Sequence, residues 1–323
     1  MNYTILGCGR WGSFIAWYLN SIGKKVTVWG LDSDPYVTNF FATRVNNYVK
    51  LDEDIELTCD LPYAVSKSDT IIISISSQSL RELMGKVSKI EGAKDKRFVL
   101  CMKGIEESTG KRLSQVLMDC GIKQENILVW VGPGHIQDFT RGVPGVMLID
   151  SYYEPYEQEL IKDIKSELIK FYAGNDIIGS EIGAAAKNVI GIAAGLLDGK
   201  NYQSLKGALM ARATNEVANL IEAAGGSRMS AYGLCHLGDY EATLFSQFSN
   251  NRMFGEKFAK GEYFDKLAEG VRTSTALLKL GRQYGIELPI IKAVNDIVVK
   301  RKDMIEVLRK LLNRTNTTEF KDD

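Results

Sequence analysis

Three glycines near the start of the chain, Gly7-x-Gly9-x-x-Gly12, follow a β-prone run at 3–6 and open a helical stretch at 13–20. That order suits a dinucleotide: Gly7 permits a tight turn, Gly9 lets a pyrophosphate approach the backbone, and Gly12 lets the helix pack closely. The helix N-terminus then offers unpaired N–H groups and partial positive charge to phosphates. Ser13, in the first turn, is placed to add a hydroxyl contact, and Trp11 reads as packing or as a wall facing the nucleotide. Asp32, just beyond the strand expected at 26–29, suits a ribose 2′-hydroxyl and repels a 2′-phosphate, which leans the choice towards NAD. A turn or cap role for Asp32 stands beside that reading.

A second group of residues suits proton transfer. In the segment 181–191, Ile182, Ala186, Val189, Ala193 and Leu196 fall on one helical stripe, and Lys187 lies off it. Its helix-face neighbours are Gly183, Ala184, Ile190 and Gly191, mostly small, which predicts a concave space for a ligand around the ammonium. Each of those glycines costs about 1 kcal/mol of helix propensity relative to alanine, so each needs a packing or site reason. Desolvation would lower the lysine towards neutrality and fit it for acid–base work on an alcohol. A nearby cation would push the same way and an acid such as Asp239 would oppose it; a surface lysine on a tightly packed helix is the bland alternative.

Two further clusters sit where strands end. Lys103 follows the strand expected at 97–101, and Gly132-Pro133-Gly134-His135 follows the one at 126–131. Ligands of wound α/β sheets bind at the carboxyl ends of strands. His135 reads either as a proton donor or as a loop bystander. The polar runs 237–243 and 249–252 interrupt an otherwise helical region, and Asn251 and Arg252 are fitted to hold a phosphate by charge-assisted hydrogen bonds.

These residues need a scaffold, and the chain supplies two textures. Strand-like runs at 3–6, 26–29, 70–75, 97–101, 126–131 and 145–150 alternate with helical stretches, which implies a wound α/β sheet. After about residue 178 long 3.6-period segments dominate. Helices are expected from Ser180 to Leu197, from about 204 to 224, at 271–284 and at 290–312. This divides the chain into 1–178, 179–312 and a polar, disordered tail at 313–323. At 323 residues about two domains are expected. Lys+Arg and Asp+Glu are 40 each, which argues against a nucleic-acid surface. The longest apolar stretches, such as 189–197, are too short to cross a bilayer. The N-terminus reads as no secretory signal, and five scattered cysteines give no zinc or disulfide framework, so a reducing cytoplasm is expected. Two histidines, His135 and His236, make chemistry built on a histidine cluster improbable.

As a set, the glycine motif, Ser77-Gln78-Ser79-Leu80-Arg81, Lys103-Gly104, Gly132-Pro133, Arg141-Gly142-Val143-Pro144, Lys187-Asn188-Val189-Ile190, Asp198-Gly199, Gly238-Asp239, Asn251-Arg252 and Glu269-Gly270 resemble the NAD(P)-dependent glycerol-3-phosphate dehydrogenase family over nearly the whole chain. The resemblance implies a Rossmann-type doubly wound α/β domain followed by an all-α substrate domain. It implies reversible hydride transfer between sn-glycerol 3-phosphate and dihydroxyacetone phosphate, serving phospholipid synthesis in the cytoplasm, with a homodimer possible. Lys187 is then the proton acceptor, with Lys103 and Asn188 orienting the reacting oxygen. Lys103, Gly132, Gly134, Asp239, Thr243, Ser249, Asn250, Asn251 and Arg252 surround the substrate. Gly7, Gly9, Arg10, Trp11, Gly12, Ser13, Asp32, Lys103, Ile136, Asn250 and Glu269 hold the coenzyme, and no metal is required.

The chain also departs from the family. Ser249-Asn250-Asn251 stands where the family has Ser-Arg-Asn, so the arginine that meets substrate phosphate or coenzyme is absent and Arg252 is its expected substitute. Gly134 and Ile136 replace a small polar residue and an alanine, Leu31 replaces an arginine, and the loop at 48–57 lacks a Pro-Gly element. A related two-domain dehydrogenase acting on another phosphorylated or carboxylated alcohol is therefore the second reading. A non-catalytic nucleotide sensor is the third, and it has no need of Lys187.

Overall fold

The computed structural model describes residues 1–314. Eight strands form one sheet in the order β3-β2-β1-β4-β5-β6-β7-β8. They are β1 (Asn2–Leu6), β2 (Lys25–Trp29), β3 (Glu56–Thr58), β4 (Thr70–Ile73), β5 (Arg97–Leu100), β6 (Ile127–Val131), β7 (Gly145–Ser151) and β8 (Ile169–Ala173). All neighbours pair in parallel except β6 and β7, which run antiparallel. Strands such as Thr70–Ile73 and Ile127–Val131 are buried along their whole length, because helices cover both faces. The chain order reverses beside β1, with β2 on one side and β4 on the other. The carboxyl ends of β1 and β4 therefore border the crevice where such sheets take ligands.

Six strands fall where the sequence predicts them, and two were not anticipated. β3 is three residues long, half-buried and carries Glu56, so it has no apolar run to read. β8 alternates buried Ile169 and Phe171 with exposed Lys170 and Tyr172, as an edge strand does.

From residue 177 to the end of the described chain the structure is helical. The Ile177–Gly199 helix begins three residues before the expected Ser180, because Asp176 caps it by accepting from Gly179 N at 3.0 Å. Ser180 instead donates to Asp150 at 2.7 Å. The Leu205–Ala223 and Gly270–Tyr284 helices match expectation. The single helix expected at 290–312 is two, Pro289–Val298 and Met304–Leu312. Asp303, read as an interior residue, caps the second by accepting from Glu306 N, and Arg301 adopts a left-handed φ of 57° in the break. Of the expected 313–323 tail, residues 315–323 lie outside the described residues.

The Ile177–Gly199 helix is long and apolar enough to cross a membrane by length and composition, contrary to the sequence expectation. Here it is the core of the helical part, with Ile182, Val189, Ile190 and Ile192 fully buried. Its small residues allow other backbones to touch it. A Cβ on Gly195 would meet Arg252 O at 2.0 Å, and one on Gly255 would meet Ile192 O at 2.2 Å. The Asn250–Lys260 helix thus crosses it at backbone contact. Glu181 joins the same helix to the sheet side, accepting from Arg112 Nη1 at 2.5 Å and from Ser114 N at 2.8 Å.

The crossing gives a testable consequence. Gly255→Val forces a branched side chain into a backbone carbonyl, and the stability loss should be at least the ~1–3 kcal/mol typical of overpacking. Urea unfolding followed by circular dichroism measures it; an unchanged midpoint would show that the two helices can separate freely.

Candidate active site

The glycine motif folds as its chemistry requires. Gly7 has φ +111°, and a Cβ there would lie 2.3 Å from Ser74 O. A Cβ on Gly12 would lie 1.9 Å from Gly7 O, so turn and helix touch through backbone alone. Nothing lies within 4 Å of a Cβ built on Gly9. No side chain caps the Arg10–Ser21 helix, whose N-terminus therefore keeps free N–H groups.

A cavity of about 500 Å³ begins here and runs to the helical part. One end is bordered by Gly30, Leu31, Asp34 and Tyr36, its floor by Gly7, Gly9, Arg10 and Ser74, and its inner end by Lys103, Lys187, Asp239 and Thr243. The fit to a dinucleotide is direct: an open glycine and an uncapped helix end line the same cavity as the residues after β2 and the two lysines.

The inner end is built around one carboxylate. Asp239, 1% exposed, holds the Lys103 ammonium at 2.8 Å and forms an ion pair with Lys187 through the same oxygen, Oδ2. Its Oδ1 is buried without a partner. Lys103 also donates to Gly132 O at 2.8 Å, and Lys187 donates to Thr243 Oγ1 at 3.0 Å. Burial drives the Lys187 ammonium down from its ordinary 10.5; Asp239 opposes this and Lys103 reinforces it. The question left open by the sequence is thus decided for desolvation. Glu269 also lines the cavity, and burial raises its carboxyl to about 6 against the pull of Lys103.

The small residues around Lys187 serve a different end from the one expected. Protein, not a ligand, occupies the space beside them. A Cβ on Gly183 would meet Cys235 and His236, and one on Gly191 would meet Thr243 Cγ2 at 2.8 Å. The glycines admit the segments that carry Asp239, Thr243 and Asn251 to the lysine. His236, fully buried, fixes one of these segments by bonding Gly183 O at 2.9 Å and Tyr240 Oη at 2.7 Å. Asn188 lines the cavity, but its amide is engaged: Nδ2 donates to Lys103 O at 3.0 Å, and Oδ1 accepts from Asn251 at 3.1 Å. Asn251 Oδ1 in turn accepts from Gly270 N. Asn188 thereby positions Lys103 and Asn251.

Of the residues expected from sequence, the cavity brings together Gly7, Gly9, Arg10, Trp11, Lys103, Gly134, Lys187, Asn188, Asp239, Thr243, Ser249, Asn250, Asn251 and Glu269. Gly132 stands just behind, reaching the site through its carbonyl. Five others do not reach it. Gly12 is buried under the turn as the close-packing glycine. Ser13 is fully buried, donates to Arg10 O and accepts from Asn46. Ile136 is 1% exposed and packs in the core beside Phe139. Asp32 is exposed beyond the rim, and Asp34 borders the cavity instead. Arg252 is tied to Asp198 at 2.6 Å and Glu256 at 2.9 Å, so its guanidinium is committed to the helix crossing rather than to a phosphate.

Sequence reasoning missed Asp34, Tyr36, Ser74, Ser76 and Phe248, all of which line the cavity. Ser74 was accessible to it, because it follows β4 at the strand's carboxyl end. Asp34 was hidden by its local role as the cap of the Pro35–Thr43 helix.

Comparison with known proteins agrees with this geometry. Residues 2–155 match the N-terminal region of NAD-dependent glycerol-3-phosphate dehydrogenase, and residues 176–309 match its C-terminal region. The chain is 31% identical to the glycerol-3-phosphate dehydrogenase (NAD(P)+) of Thermoanaerobacter sp. (strain X514), covering 99% of both chains. It is 30% identical to that of Fusobacterium nucleatum over 98% of both. Among solved structures, glycerol-3-phosphate dehydrogenase from Coxiella burnetii superposes with a TM-score of 0.89 at 26% identity, covering 97% of this chain and 99% of that one. A D-mandelate dehydrogenase in complex with NADH shares the fold alone, at 14% identity and a TM-score of 0.65.

Asp239 is what keeps a proton on Lys187 against burial. Asp239→Asn should therefore lower the Lys187 pKa further, as read by titrating its ¹⁵N-labelled Nζ by NMR. An unchanged or raised value would remove Asp239 as the controlling charge.

Proposed function

The chain belongs to the NAD-dependent glycerol-3-phosphate dehydrogenase family, and on that premise we propose that it interconverts sn-glycerol 3-phosphate and dihydroxyacetone phosphate with NAD(H) or NADP(H). The observation that carries the reading is the pair of buried lysines sharing Asp239 at the inner end of the glycine-motif cavity. When bound there, the coenzyme supplies hydride acceptance and donation. Gly7, Gly9 and the Arg10–Ser21 helix end would hold its phosphates, and Glu269 lines the same cavity.

The proton steps belong to the chain. In alcohol oxidation Lys187 Nζ, as the neutral amine, takes the proton from the C2 hydroxyl. In ketone reduction Lys187, as the ammonium, returns it to the developing alkoxide. Lys103 holds the reacting oxygen and, as a cation, favours negative charge on it. Asn188 and Asn251 keep Lys103 and the substrate wall in register.

NAD is the proposed preference, since the rim carries uncharged Leu31 and acidic Asp34, neither of which suits a 2′-phosphate. The reading also places the enzyme in the cytoplasm, where its product feeds phospholipid synthesis. The uncharged Asn250 keeps one second reading: another phosphorylated or carboxylated alcohol as substrate.

The decisive experiment is NADH and NADPH oxidation with dihydroxyacetone phosphate beside other 2-oxo acids and phosphates. Reduction of dihydroxyacetone phosphate with NADH preferred is the expected result; turnover only of another compound gives the second reading its substrate.

Lys187→Ala should keep coenzyme affinity and lower turnover at least about a hundredfold, the scale of a general acid–base group. Near-normal turnover would release Lys187 from its role. The pH profiles should oppose each other. Lys187 is pushed down to about 7. Oxidation, which needs the amine, then rises with pH through that region. Reduction, which needs the ammonium, falls through the same region. Profiles with both limbs near 10 would mean that the lysine is solvated during turnover.

A further inference from the structure

A second carboxylate stands behind the site. Asp198, near the end of the Ile177–Gly199 helix, does not line the cavity. It lies three helical turns beyond Lys187, on the order of 16 Å along the axis. Its side chain is 11% exposed and holds two cations, the Lys206 ammonium at 2.6 Å and the Arg252 guanidinium at 2.6 Å. Glu256 also meets Arg252, whereas Asp198 is the acid described on Lys206. Gly199, the next residue, has no room for a side chain: a Cβ there would lie 2.6 Å from Glu256 O. The helix end that carries the carboxylate is thus packed backbone to backbone on the Asn250–Lys260 helix.

Each cation grips a backbone carbonyl of one short segment. Lys206 Nζ donates to Leu244 O at 3.2 Å, and Arg252 Nε donates to Ser246 O at 3.1 Å. The Lys206 ammonium lies 5.0 Å from the centre of the intervening Phe245 ring. The Glu241–Phe245 turn is a single π turn, and the chain leaves it extended at Ser246. Carbonyls at such an end have no following turn to meet, and side-chain cations satisfy them. Both flanks of the gripped stretch belong to the site. Thr243, one residue before Leu244, accepts from Lys187 Nζ at 3.0 Å. Ser249 and Asn250, beyond Ser246, line the cavity.

Resting on the functional reading above, we propose that Asp198 is a positioning residue for the reaction, acting through Lys206 and Arg252 to fix the segment 243–250. With Asp198 neutral, Lys206 loses the anion that holds it against Leu244 O, and a buried cation without its acid moves towards solvent. The released segment then no longer keeps Thr243 on Lys187 or the Ser249–Asn250 wall in place. Thr243 Oγ1 accepts from the ammonium and so favours it over the amine. Loosening that contact lowers the Lys187 pKa, while Asp239 and Lys103, the charged groups that act directly on Lys187, stay unchanged.

The test compares wild type, Asp198→Asn, Lys206→Met and the double variant in the full chain, each checked for folding by circular dichroism and thermal unfolding. Two quantities are read: the Lys187 pKa, by NMR titration of its ¹⁵N-labelled Nζ, and kcat/KM for dihydroxyacetone phosphate. Asp198→Asn should lower the first by about half a pH unit or more, the equivalent of a modest hydrogen bond. It should lower the second at least about tenfold, short of the roughly hundredfold that a 1 Å misplacement can cost. Lys206→Met should do the same, and the double variant should add little, because the two residues act as a unit. Either quantity left at its wild-type value in a folded variant overturns the proposal, since an ion pair that is merely structural moves only the unfolding temperature. Losses that multiply in the double variant overturn it as well. Where Asp198→Asn does not fold, Lys206→Met decides by the same two readings. If wild type does not reduce dihydroxyacetone phosphate, the functional reading fails, and the Lys187 titration alone then decides the inference.

Discussion

One carboxylate oxygen holds the site together. Asp239 is almost wholly buried, and its Oδ2 meets two lysines that arrive from different parts of the chain. Lys103 comes from the loop after β5, and Lys187 from the middle of the Ile177–Gly199 helix. Two buried ammonium groups this close would repel strongly without an anion between them. With one anion for two cations, the balance favours release of a proton from the more buried lysine. The same contact therefore does two things: it fastens the helical part to the carboxyl edge of the sheet, and it biases the protonation of Lys187, the group proposed to handle the substrate's proton. Breaking it is costly, because it leaves buried charge without compensation.

That contact is possible only because the long helix is thin in the right places. Gly183 receives Cys235 and His236, Gly191 receives Thr243 and Asn251, and Gly195 receives the Arg252 backbone. The three lie along one helix, and together they bring a loop, a short turn and a second helix onto the face that carries Lys187. A larger residue at any of them would displace a site segment by the width of a methyl group or more, on the scale at which positioning governs rate. The propensity cost of these glycines is thus offset by tertiary contact, not by a bound ligand.

The sequence made the sheet's order of elements and the nucleotide motif legible, because both are local: a buried apolar run and a glycine spacing each mark themselves. It also pointed to Lys187, through glycines too expensive to be idle. What it left dark depends on distance. Ser13 and Ile136 were read as facing a ligand, yet both turn into the core, since spacing alone does not say which way a first-turn hydroxyl or a loop residue points. Asp32 and Asp34 are two residues apart, and only the cap of the following helix decides which borders the cavity. β3 is too short and too polar to announce itself, and the break at 299–303 hides behind a continuous helical periodicity until Asp303 is seen as a cap.

Arg252 shows why a residue's type does not fix its work. Its guanidinium meets Asp198 near the end of the long helix and Glu256 one turn along its own helix, while its backbone carbonyl sits where a side chain on Gly195 would go. The side chain is thus part of the clamp that holds the Asn250–Lys260 helix against its neighbour. Ser249 caps that helix by accepting from Arg252 N, which leaves the neutral Asn250 as the first helical residue facing the cavity. Helix-end dipole and neutral hydrogen bonds remain there for an anion, but no full charge.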